Sequence, residues 1–251
     1  MKRMMRAAMA AAALAVFSGA AAAQGAPWTV PEKVNPFRFV SPADPAFPEG
    51  DPYGLIYGFP VFRLWGWSPN GMIAYSIERE AAGRGGVLIE YVIQSLESDD
   101  RLWTATYDSF AWDESESADG DYSSLAFARI KGFWLGKLAY YGIVQSATEF
   151  REWPLYASGH VYAATIDLVR EKKPDFDDAI ASYAVLVSRD GRRGKVIRRE
   201  PWPRALAVFV CGYFKSPYED RIAVITAEER FVFEGTELFY EVSGCDLTKG
   251  F

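Results

Sequence analysis

One histidine, His160, stands in 251 residues. Any imidazole chemistry, whether a Ser-His-Asp relay or a zinc centre, would have to pass through that side chain. It lies in Ser158-Gly159-His160, and neither a G-x-S-x-G elbow nor an S-x-x-K accompanies it. The alternation Tyr162, Ala164, Ile166, Leu168 puts it at the start of the apolar face of a strand, where a structural histidine is the expectation. Cysteine is nearly as scarce, with Cys211 and Cys245 alone. One histidine and two distant cysteines give no zinc spacing, so no metal and no cofactor is expected. The acidic run Asp113 to Asp121 fails as a calcium loop. With Gly120 as its turn glycine, the last ligand position falls on Ala126. Gly191-Arg192-Arg193-Gly194-Lys195 lacks the phosphate-loop spacing.

A basic excess is missing too: 27 Lys and Arg face 33 Asp and Glu, a formal charge of −6. That argues against nucleic acid or an anionic membrane surface as the partner. Beyond the N-terminus no apolar run reaches the length of a membrane span. The N-terminus itself is distinctive. Met1-Lys2-Arg3-Met4-Met5-Arg6 leads into an alanine-rich run to Phe17 and then Ala21-Ala22-Ala23. A charged start, a short apolar stretch and a small-residue site describe a secretory signal peptide over 1–23, cleaved after Ala23. The mature chain is then expected to be secreted or periplasmic, where Cys211 and Cys245 could form a disulfide.

Residues 24–60 form a proline-rich lead-in. Eight of the fourteen prolines fall between Ala26 and Pro60, a density that opposes helix and sheet alike. Its aromatics Phe37, Phe39, Phe47 and Tyr53 suggest that part of it docks on the body. A single β-rich domain is expected over 61–251. Strands are predicted at Val61–Trp67, Met72–Ile77, Val87–Gln94, Leu102–Tyr107, Val161–Val169, Ala181–Ser188, Lys195–Arg199, Leu206–Phe214, Arg221–Thr226 and Leu238–Val242. Phe127, Ile130, Trp134, Leu138 and Tyr141 recur at helical spacing, so one amphipathic helix is predicted over about 122–141, ended by Gly142. Gly132 and Gly136 within it would let the helix approach a sheet closely.

The centre of the pattern is Phe62 to Tyr75, FRLWGWSPNGMIAY: strand, Ser-Pro-Asn-Gly turn, strand. Its part WSPNGMIAY, Trp67 to Tyr75, resembles the repeat of TolB-type β-propellers, which implies propeller-like hairpins and a protein-interaction scaffold. A looser copy starts at Ser216-Pro217-Tyr218-Glu219-Asp220, without the leading Trp or the Asn-Gly. No regular series at a propeller period of roughly 40 to 50 residues appears, so two related hairpins in one domain is the reading. The fold class expected is mainly β, antiparallel sheets with one long helix; an α+β sandwich is the alternative.

Aromatic residues make up 16% of the chain, more than core filling alone usually needs. Trp112, Trp153 and Trp202 flank loops and are candidate binding residues. Glu90 is another, because a carboxylate in the apolar strand Val87 to Ile93 must be paired, protonated or facing a cavity; a salt bridge to an arginine such as Arg63 is expected. The run Arg189, Arg192, Arg193, Lys195, Arg198, Arg199 around the Asp190-Gly191 turn reads as a basic, solvated hairpin tip. The function expected is an exported binding or protein-interaction module of the cell envelope, partnered by an envelope protein or saccharide. The alternatives are a carboxylate-pair hydrolase acting on envelope saccharide, and a structural accessory subunit.

Overall fold

The computed structural model describes residues 27–40, 59–80, 86–111, 122–146, 148–173, 176–192, 194–201, 203–232 and 235–251. The predicted signal peptide, Phe47 and Tyr53 of the lead-in, the acidic run, Trp112, Arg193 and Trp202 lie outside these residues. The fold is mainly β: the described residues form three antiparallel four-stranded sheets and one α-helix. The first sheet is a meander of β1 (Val61–Trp67), β2 (Met72–Glu80), β3 (Val87–Ser95) and β4 (Arg101–Asp108). Helix α1 (Tyr122–Tyr140) follows, then the short β5 (Phe150–Arg151) and β6 (Leu155–Ala157). The long hairpin β7 (His160–Lys173) and β8 (Phe176–Arg189) continues into β9 (Lys195–Pro201). A last meander of β10 (Ala205–Lys215), β11 (Arg221–Val232) and β12 (Gly235–Asp246) completes the chain. Strands β6 to β9 form one sheet in sequence order, and β5 joins the edge of β10 to make the other.

Period-two alternation decides how the sheets stack. Ile73, Tyr75 and Ile77 of β2 share a core with Ala223, Ile225 and Ala227 of β11 and Leu238, Tyr240 and Val242 of β12. The intervening Ile222 and Val224 of β11 face the other way, onto Tyr183, Val185 and Val187 of β8. On the first sheet's outer face, Trp65, Tyr91 and Ile93 pack under Phe127, Trp134 and Leu138 of α1. The result is a stack of helix, first sheet, β10–β12 sheet and β7–β8 sheet. The β10–β12 sheet is covered on both faces, so β11 is buried over most of its length.

The hairpin turns obey their local chemistry. Ser68 Oγ accepts from Asn70 N at 3.0 Å, and Ser216 Oγ accepts from Tyr218 N at 3.2 Å. The two serine-proline turns therefore close in the same way. Helix α1 ends where expected: Gly142 has φ +65°, and Ile143 N donates to Leu138 O at 2.8 Å. The strands β2, β7, β8, β11 and β12 run beyond their apolar stretches, because backbone pairing in a hairpin continues into polar residues once the register is set.

Two expectations need correction. A Cβ built on Gly132 or Gly136 meets nothing within 4 Å, so these glycines face outward instead of bringing the helix onto the sheet. The contact is made by large side chains: Trp134 lies 5.8 Å from Trp65, 5.3 Å from Tyr91 and 5.2 Å from Trp103 between ring centroids. The second is the disulfide. Cys211 and Cys245 both carry buried thiols and are not joined. Cys211 sits in the core between the first two sheets, and Cys245 in the core on the opposite face, with β11 between their strands. Side chains on opposite faces and two strands apart cannot reach disulfide geometry.

Candidate functional site

A wide concavity runs along the edge of β1. It is bounded by lead-in residues between Pro27 and Phe39, by Lys131 and Leu135 of α1, and by residues 143–146 and 148–150. Two β-bridges hold its walls: Val34 pairs with Phe62, each N–H···O at 2.8 Å, and Trp67 pairs with Val144 at 3.1 and 2.8 Å. Close approach at the second bridge depends on Gly66, where a Cβ would stand 2.2 Å from Val144 O. Pro36–Phe39 is a single 3₁₀ turn capped by Asn35, whose Oδ1 accepts from Phe37 N at 3.2 Å and from the Tyr240 hydroxyl at 3.0 Å. That turn drives Phe37 fully into the core beside Phe209, while Phe39 remains 42% exposed over the groove.

The groove wall is aromatic. Phe39 meets Phe150 at 5.0 Å and Phe150 meets Phe214 at 5.0 Å, with Trp28 and Phe59 also lining the space. Leu64, Leu135, Ile143 and Val144 complete the apolar lining. The volume, about 2220 Å³, is more than twice the upper end for drug-sized ligand sites. The lead-in's aromatics point toward this docking. The other walls come from segments separated by dozens of residues, which no local pattern joins.

A second, smaller cleft of about 220 Å³ lies between the open part of the first sheet and the edge of β12. Here the edge strands of all three sheets converge on charged side chains. Arg101 of β4 donates to Glu90 of β3 at 2.9 Å and pairs with Glu241 of β12 at 3.5 Å. Arg198 of β9 lies 3.5 Å from the same Glu241 and 3.2 Å from Glu200. Arg230 binds the fully buried Glu228 at 2.6 and 2.8 Å, and the Tyr183 hydroxyl donates to Glu228 as well. Burial opposes the charge on Arg101, but Tyr75, Glu90 and Glu241 around it outweigh that and raise its pKa. Burial pushes the Tyr75 phenol upward, so it stays neutral and donates to Gln94 Oε1 at 2.7 Å. Behind Glu241, the hydroxyls of Thr226 and Ser243 and the Nε of Arg198 are buried without a hydrogen-bond partner, positions suited to ordered water.

This junction clamps charge. Carboxylate-pair hydrolysis calls for one carboxyl kept protonated in an apolar setting beside a second, ionised one. Glu90 and Glu241 instead both accept from the same guanidinium. The partner of Glu90 is thus Arg101, and the expected Arg63 is engaged elsewhere: it donates to Pro31 O at 2.7 Å and to Ser123 Oγ at 3.0 Å. Register explains the difference, because Glu90 points to the face of the first sheet turned away from α1, whereas Ser123 stands on α1.

The remaining candidates are scattered. His160 lies at the β6–β7 turn, half-exposed, its Nδ1 2.6 Å from Asp190 Oδ2. Asp190 also accepts from Val161 N at 3.0 Å; that backbone bond first, and His160 second, hold its carboxyl below the usual range. The pair staples the β8–β9 turn to β7. Trp153 packs against Tyr213 at 4.9 Å beneath the β7–β8 sheet, away from both clefts. The basic tip is partly dispersed. Arg198 turns into the junction, while Arg189 and Lys195 lie over the Phe251 ring at 5.2 and 4.8 Å. Among the described residues, no group of three His, Cys, Asp or Glu side chains could hold a metal, and no helix is long and apolar enough to cross a membrane. Compared with known proteins, the chain matches no family model, no curated protein and no solved structure.

Proposed function

We propose that this chain is an exported, non-enzymatic binding or protein-interaction module of the cell envelope, and that the aromatic groove along β1 is its binding face. The groove is the observation that carries the reading. A concavity of this size, walled by Phe39, Phe59, Phe150 and Trp28 and braced by two backbone bridges, is a preformed apolar surface. The leader-like N-terminus supports export, and the TolB-type resemblance of Trp67 to Tyr75 supports an interaction scaffold. The charged cleft supports the same reading from the other side, since its carboxylates are engaged by arginines and not set out as an acid and a base.

Native mass spectrometry of the mature protein, gently purified from the envelope fraction, tests this. A co-purifying mass is expected on the wild type and is expected to be lost from Val144→Asp, a change at a half-exposed groove position. A bare chain from the wild type, or a retained mass indifferent to the substitution, overturns the assignment of the groove.

A further inference from the structure

The groove's floor and its rim differ in chemistry, and that difference selects a ligand. Leu64, Leu135, Ile143 and Phe214 form a floor of hydrocarbon and ring. A bound peptide would carry an amide donor and acceptor at every residue, and each would need a partner there. An acyl chain brings none. The rim carries Lys33, Arg38 and Lys131, all exposed, and none is in an ion pair with an acid among the described residues. Lys131 instead stands 5.7 Å from the Phe127 ring. Of the two rim acids among the described residues, Glu149 is taken by Arg151 at 3.3 Å, which leaves Glu32 to offset three cations. A local cationic rim in a chain of net charge −6 is a departure from the general surface.

Resting on the binding-module reading, we propose that the groove receives the acyl chains of an anionic envelope phospholipid, with the phosphate held at Lys33, Arg38 and Lys131. The volume of about 2220 Å³ exceeds what one compact polar ligand fills. Aliphatic and aromatic walls supply the burial, and flexible lysine and arginine heads at the mouth supply the charge.

Titration calorimetry of the mature protein with soluble short-chain lipids tests this. Dioctanoyl phosphatidylglycerol is expected to bind saturably, and dihexanoyl phosphatidylglycerol at least about tenfold more weakly, because each methylene lost removes a share of the buried area. Dioctanoyl phosphatidylcholine is expected to be weaker than phosphatidylglycerol by about tenfold, the sum of several exposed charge contacts. The triple variant Lys33→Glu, Arg38→Glu, Lys131→Glu should erase that headgroup difference. Val144→Asp should abolish binding of both lipids; Phe39→Asp, at another exposed groove position, repeats the test if the first variant fails to fold. Absence of saturable binding, indifference to chain length, or equal affinity for the two headgroups overturns the proposal. If it is overturned while the envelope preparation still yields a groove-dependent protein mass, the binding-module reading stands without the lipid.

Discussion

The first sheet and the β10–β12 sheet contain the same device in different surroundings. Both begin with a strand carrying a bulge at a glycine, Gly66 or Gly212, and turn through serine and proline. In both, an incoming backbone crosses that glycine: a Cβ would stand 2.2 Å from Val144 O at Gly66 and 2.4 Å from Arg151 O at Gly212. Yet the first sheet meets α1 through a largely apolar face, with Ser76 and Ser123 its buried hydroxyls, whereas the β10–β12 sheet buries a carboxylate, Glu228, along with Thr226 and Ser243 against its outer neighbour. The more deeply buried sheet carries the more polar interface. Local turn chemistry thus fixes a hairpin without fixing what covers it, and the fully buried Glu228 carboxylate is held where Arg230 and Tyr183 converge on it.

Breaking the apolar side of this comparison should have the largest effect. Trp134 has no exposed surface and touches three aromatic rings, so Trp134→Ala should cost about 3–5 kcal/mol in urea unfolding. A loss below about 1 kcal/mol would show that α1 is an ornament on a self-sufficient sheet. On the polar side, Glu228→Ala strands the Tyr183 hydroxyl and leaves Arg230 with the longer contact to Glu241 at 3.8 Å. The expected cost is about 3 kcal/mol, at the low end for a broken buried pair because Arg230 is 32% exposed and can turn to water. Glu228→Ala with Arg230→Met should recover part of that loss in the same melts. The finest comparison sets Gly66→Ala against Gly212→Ala. Each should cost about 1–3 kcal/mol through a forced backbone shift, and equal costs would establish the two crossings as equivalent. Both are expected to disturb the groove, Gly66→Ala through the Val144 backbone and Gly212→Ala through the Phe150 ring, 2.6 Å from the added Cβ.

Much of the first sheet is legible in residue order. Val61–Trp67 appears with its predicted limits, and the Ser68 turn follows from its own residues. The helix is legible for the same reason, a stripe of one periodicity ended by Gly142. The three-residue β6 and the two-residue β5 are not, because strands so short exist only as partners of β7 and β10. Glu90 stands out in the sequence as a charge in an apolar strand. Its convergence with Glu241 and Arg198 does not, since the three reside in separate sheets. The groove is similar: Phe39 belongs to a recognisable docking segment, but Phe150 and Phe214 are distant in the chain.

The β-rich class, helix α1 and the serine-proline turns follow from residue order, because alternation, helical spacing and turn propensity act between neighbours within a few residues. That Cys211 and Cys245 stay apart, that Gly132 and Gly136 face outward and that Arg101 takes Glu90 are outcomes of the folded arrangement. Those outcomes depend on which face of one sheet meets which face of another, a choice made by packing between segments far apart in the chain.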